Sequence, residues 1–144
     1  MQAEAKDTGE LLSILGNTED WEEYRKENGE SFRSTTVAEE LLRLCREKGI
    51  SKAELAKNSG ISDVYLYQIL RGIRTPSRDR MICMCMGLKL SEPESQRFLR
   101  ACGFAPLYVR QERDAMILHA MMHGTDLQTL NDELYEQENE PLLK

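Results

Sequence analysis

Eighteen residues in the middle of the chain, KAELAKNSGISDVYLYQI (52–69), leave little freedom over how they fold. Gly60 divides them, because a glycine can enter the left-handed backbone conformation and turn the chain sharply. Ser51, with Glu54 three residues on, forms the signature of a helix start in which side chain and backbone satisfy each other reciprocally. Ser62 supplies a second start. Leu55, Leu66 and Ile69 then fall where two crossed helices bury a wedge. Ala56 has to be small because the second helix crosses close above it, and Ile61 plugs the hole behind the turn. The stretch therefore reads as a short helix, a tight turn and a second short helix.

The rest of the chain follows the same grammar. Capping patterns stand at Thr36-Val-Ala-Glu39 and Ser91-Glu-Pro-Glu94, with single caps at Ser77 and Asp126. Stops stand at Gly49, Gly72, Gly103 and Gly124. Alternating β-branched runs are missing, so the fold class expected is all-α. The helices are expected near 36–48, 51–58, 62–71, 77–87 and 91–102, then near 107–123 and 126–138. Two short acidic helices, near 10–15 and 18–28, precede them. This N-terminal arm, 1–35, is expected to dock on the domain or on a dimer mate, with a partly disordered tail as the alternative.

The net charge of −6 is unevenly spread. Residues 1–36 carry four basic and nine acidic groups, residues 37–90 ten and six, and residues 91–144 five and ten. The two-helix stretch thus sits on a basic island between acidic arms, an asymmetry that favours a polyanionic partner. Four irregularly spaced cysteines do not make a disulfide framework. With no signal-peptide pattern and no long apolar run, a cytoplasmic protein is expected, with no membrane partner.

Residues 37–90 resemble the phage-repressor-type (Xre-like) helix-turn-helix family. The likeness rests on Gly49-Ile50-Ser51, the motif itself, Arg71-Gly72, Arg74, Pro76-Ser77 and the helix beginning at Arg78. It implies a lambda-repressor-like five-helix domain over 36–103 and a transcriptional regulator that binds double-stranded DNA in a sequence-specific way, as a homodimer. The second motif helix would enter the major groove, with Asp63, Val64, Tyr67, Gln68 and Arg71 facing base edges. Lys52, Lys57, Arg74 and Arg78 would hold the phosphate backbone. Lys52 stands where the family commonly has glutamine. Asp63 makes the start of the reading helix acidic, and the alternative is a protein–protein interaction module on the same scaffold.

The tail repeats the end of the domain. Arg78-Asp79 matches Arg113-Asp114, Met81-Ile82 matches Met116-Ile117, Leu99 matches Leu134, and Pro106-Leu107 matches Pro141-Leu142, all 35 residues apart. At the middle turn, Gly87 or Lys89 faces Gly124. One helical hairpin used twice is expected, the second copy filling 104–144 and stacking on the first. Dimerisation or a protein partner would be its role.

Catalytic and metal chemistry find little footing. Cys83 and Cys85, in MICMCMG (81–87), point to nearly opposite sides of a helix and would not share an ion. Under the 35-residue spacing they match Leu118 and Ala120, which suits a buried apolar spine. His119 and His123 share a helix face but lack the carboxylate of a zinc-hydrolase motif. No phosphate loop or nucleophile elbow is present, so no cofactor and no enzyme activity are expected.

Overall fold

The computed structural model describes residues 6–31 and 35–143. Among the described residues the backbone forms nine α-helices and one short 3-10 turn, without strands. None of these helices is long and apolar enough to cross a membrane. The chain divides into two units, residues 1–34 and 35–144. The arm expected over 1–35 includes residues 1–5 and 32–34, which lie outside the described residues.

In the first unit, α1 (Thr8–Asn17) is capped by Asp7 and α2 (Trp21–Asn28) by Asp20, each carboxylate accepting a first-turn backbone N–H. Trp21 and Tyr24 stack with ring centroids 5.8 Å apart. Lys6 donates to the Asn28 amide oxygen, tying the chain before α1 to the end of α2.

The second unit begins with α3 (Val37–Lys48), followed by α4 (Lys52–Ser59) and α5 (Asp63–Leu70). The reciprocal cap expected at Ser51 forms with Glu54, and the one at Ser91 forms with Glu94. At Thr36 only half of it forms: the hydroxyl accepts from the Glu39 N–H, while the Glu39 carboxylate takes the Thr35 hydroxyl instead. Leu55, Ala56, Leu66 and Ile69 are all buried, and Ile61 packs against them. Gly60 has φ +68°, and the Ile61 N–H reaches the Ala56 carbonyl at 3.1 Å, closing the turn. Each fully buried aliphatic side chain contributes about 2 kcal/mol relative to exposure.

Two hairpins follow, α6 (Arg78–Gly87) with α7 (Glu92–Ala101), and α8 (Glu112–His123) with α9 (Leu127–Glu136). α8 starts five residues later than the expected 107. Leu107 is drawn into the core instead, its N–H and carbonyl both bonded to the Gln96 side-chain amide at 2.7 and 2.8 Å. α6 is buried on every side. Met81, Ile82, Cys83, Met84 and Cys85 expose nothing, and α4 lies along it so closely that Gly87 meets Ser59.

Local geometry recurs between the hairpins at a spacing of 35. α7 and α9 begin and end in register, capped by Ser91 and Asp126. The left-handed residues Lys89 and Gly124 correspond, as do Gly103 and Glu138. Lys89, rather than Gly87, is therefore the counterpart of Gly124. Arg78 pairs with Asp114 through two bonds, at 3.0 and 3.3 Å, and Arg113 pairs with Asp79 through two, at 2.9 and 3.1 Å. Each arginine also donates to carbonyls 27 and 28 residues ahead: Ala105 and Pro106, Glu140 and Pro141. α6 packs on α9 and α7 on α8. Each hairpin thus gives one arginine and one aspartate to the other.

Candidate nucleic-acid interface

α5 leaves the Gly60 turn with its wedge residues inward, which fixes what it shows to solvent. Asp63, Val64, Tyr67 and Arg71 are exposed and Gln68 is half-buried, so the five residues expected to face bases share the open side of one helix. Val64 is 65% exposed and Tyr67 56%, both high for apolar or aromatic groups. Ile73, in the loop beyond, is more open still. Arg71 donates to the Tyr67 hydroxyl at 3.0 Å and lies over its ring at 5.6 Å, so the two side chains form one platform.

Gln68 does more than face outward. Its backbone carbonyl accepts from the N–H groups of Ile73 and Arg74, at 2.9 and 3.2 Å, and its side-chain oxygen accepts from Arg74 Nε at 2.9 Å. The loop after α5 is thus tethered to the last turn of that helix. Arg74 lies 5.2 Å from the centroid of the Tyr65 ring, and Arg80, from the first turn of α6, lies 5.7 Å from it. Tyr65 gathers two guanidinium groups beside α5. Neither Tyr65 nor Arg80 stood out in the sequence. Their signal is an aromatic residue three positions into a helix whose following loop and helix are arginine-rich, and only the fold brings the parts together.

The backbone-contacting set divides. Lys52 and Lys57 are exposed on α4, and Arg74 is exposed beside Gln68. Arg78 departs from its expected role, because its guanidinium is turned to Asp114 and to the Ala105 and Pro106 carbonyls. Those bonds occupy Nε, Nη1 and Nη2 and make Arg78 a structural clasp. Farther from α5, Lys48 pairs with Glu94 at 2.8 Å. That lysine, together with the Ser91 N–H, holds the Glu94 carboxyl at about 2, well below its ordinary 4.5.

The cysteines carry no sign of nucleophilic chemistry. Burial pushes the Cys83 thiol up to about 11 and the Cys85 thiol up to about 12, so both stay protonated at neutral pH. All four thiols are free. His119 and His123 stand side by side on the exposed side of α8 with ring centroids 4.2 Å apart. Among the described residues no three His, Cys, Asp or Glu side chains converge on a point.

With this geometry, residues 41–94 match the family model described as Helix-turn-helix. Two proteins from two strains of Mycobacterium tuberculosis, each named an uncharacterized HTH-type transcriptional regulator, are 34% identical to the chain over 83 residues. The matched region is 58% of this chain, and the chain spans 58% of the length of either relative. No solved structure matches.

Proposed function

We propose, from the match of residues 41–94 to the Helix-turn-helix family model, that the protein is a transcriptional regulator that binds double-stranded DNA in a sequence-specific way. The observation that carries this reading is the outward side of α5: Val64, Tyr67, Gln68 and Arg71 project from a helix anchored by its buried wedge. A helix held in this way can enter the major groove with those side chains against base edges. Arg71, Arg74 and Arg80 border it, and Lys52 and Lys57 stand on the preceding helix, a distribution suited to phosphates. A second reading, a protein-binding surface on the same helix, draws on the exposed Val64, Tyr67 and Ile73 beside Asp63.

Fluorescence anisotropy over a salt series, with the DNA upstream of its own gene against random duplex, separates the two. The DNA reading expects tighter binding to the upstream duplex and a steep salt slope; equal binding to both at low salt removes it. Arg74→Ala should weaken all duplexes alike and reduce the salt slope by about one. Gln68→Ala should cost both preference and general affinity, because it also frees Arg74. Gln68→Glu keeps the acceptor for Arg74 but adds a negative charge facing the phosphates, so it should weaken every duplex more than Gln68→Ala.

The homodimer belongs to this proposal, since two-fold operators suit two-fold proteins. The inner faces of both hairpins are engaged with each other, so a second subunit would meet a different surface. A monomer mass in solution at micromolar concentration would exclude it. We also read residues 78–142 as one hairpin used twice about a local two-fold, a reading supported by the returned Arg–Asp exchange.

A further inference from the structure

The turns that close the two hairpins line a common cleft of about 490 Å3. Met86 comes from the last turn of α6 with Lys89 and Leu90 from the turn after it, and Met121 from the last turn of α8 with Gly124 from the turn after it. Met86 corresponds to Met121 and Lys89 to Gly124 at the 35-residue spacing, so the cleft lies between matching halves. Asn58, at the end of α4, forms a further wall and donates its side-chain amide to the Gly87 carbonyl at 3.4 Å. The volume falls in the range of about 300–1,000 Å3 typical of small-molecule sites, and the mix of apolar walls with few polar groups is also characteristic.

Lys89 is the one cationic residue among the described residues lining the cleft. It has φ +54°, in the left-handed region, where a lysine is strained by roughly 1 kcal/mol or more and a glycine is not. The matching turn reaches the same conformation with Gly124 at φ +67°. Glu138 carries a similar φ away from this cleft, so the backbone alone does not single Lys89 out. The cleft it lines does. Asp126 lines the cleft too, but its carboxylate is turned to the Thr129 N–H at 2.8 Å, where it caps α9. Methionine walls adapt to ligands of different shape, because the side chain is unbranched and polarizable.

We propose that this cleft binds a small apolar organic anion, its ring or chain held between Met86 and Met121 and its acidic group paired with Lys89. The claim is independent of DNA binding. The test is a fluorescence titration of the full chain with anilinonaphthalene sulfonate, an aromatic anion, beside the neutral phenylnaphthylamine. Lys89→Gly suits the backbone and should melt no lower than the parent, which separates loss of binding from loss of fold. The expected result is one saturable site for the anion, weakened about tenfold by Lys89→Gly and kept by Lys89→Arg. The neutral probe should change far less with Lys89→Gly, and Met121→Trp should exclude both probes. Binding that does not saturate, anion affinity unchanged in Lys89→Gly, or anion binding undisturbed by Met121→Trp would each overturn the proposal.

Discussion

The hairpins α6–α7 and α8–α9 share a backbone plan and differ in what surrounds them. Positions turned toward the interior hold the same residues: Ile82 and Ile117, Leu99 and Leu134, all fully buried. Elsewhere the pairs part. Met84 exposes nothing, whereas its counterpart His119 is exposed. Gly87 lies against Ser59 of α4, whereas its counterpart Met122 is 68% exposed. Phe98 is buried and Glu133 is open. Within the first hairpin α6 is sheathed by the helix-turn-helix and carries no charged residue over 81–87, whereas α8 shows His119, Met122 and His123 to solvent. Residue type at each position follows the neighbour it meets, while the left-handed turns and the Arg–Asp clasp recur. The caps do not all recur: Ser77 caps α6, and no side chain among the described residues caps α8.

The clasp offers the sharpest way to break this comparison. Asp114 is 3% exposed and accepts the Tyr108 N–H at 2.9 Å besides both Arg78 bonds. Asp114→Ala would leave those donors unpaired, and urea unfolding should show a loss of about 3 kcal/mol. Asp79 is half-buried and serves Arg113; Asp79→Ala should cost about 1 kcal/mol. Equal losses would mean that the two halves of the clasp are interchangeable.

Next in size is the contrast at Gly87. A Cβ there would stand 2.2 Å from Ser59 Oγ, so Gly87→Ala should destabilise by about 2 kcal/mol through overpacking. Met122→Ala, at the matching open position, should stay within about 0.5 kcal/mol. A thermal melt of each variant settles whether α4 is what separates the two sites.

The smallest effect concerns acid. Glu94 is depressed in the folded state, so its stabilising contribution is complete above its ordinary 4.5 and fades as pH falls toward 2. Thr129 occupies the matching position in the second hairpin and titrates nothing. Glu94→Gln should flatten the acid limb of a melting-temperature-against-pH curve by less than about 1 kcal/mol, because the pair with Lys48 is partly solvated. An unchanged limb would show that this pair contributes nothing to acid stability.

Much of the architecture was legible because its signals are local. The caps at Ser51, Ser62, Ser77, Ser91 and Asp126 need only their own next three residues, and all five form. The wedge of Leu55, Leu66 and Ile69 depends on helical spacing around one glycine. What escaped was non-local. Arg78 follows Pro76-Ser77 as a phosphate-binding residue would, but its partners lie 27 to 36 residues away. Leu107 looked like the start of a helix until Gln96 drew it inward. A spacing of 35 marks likeness in sequence but not which side chains meet, so the Arg78–Asp114 and Arg113–Asp79 pairs could not be read from it. Tyr65 was hidden similarly, since the two arginines it gathers come from different segments.

The depth of Cys83 and Cys85 has a practical consequence. An alkylating reagent attacks the thiolate, and neither sulfur is ionised or reachable while α6 stays sheathed. Their labelling rate therefore counts the moments when the junction between the helix-turn-helix and the clasped hairpins comes apart. The protein carries its own clock for that opening, read by mass spectrometry without an added probe.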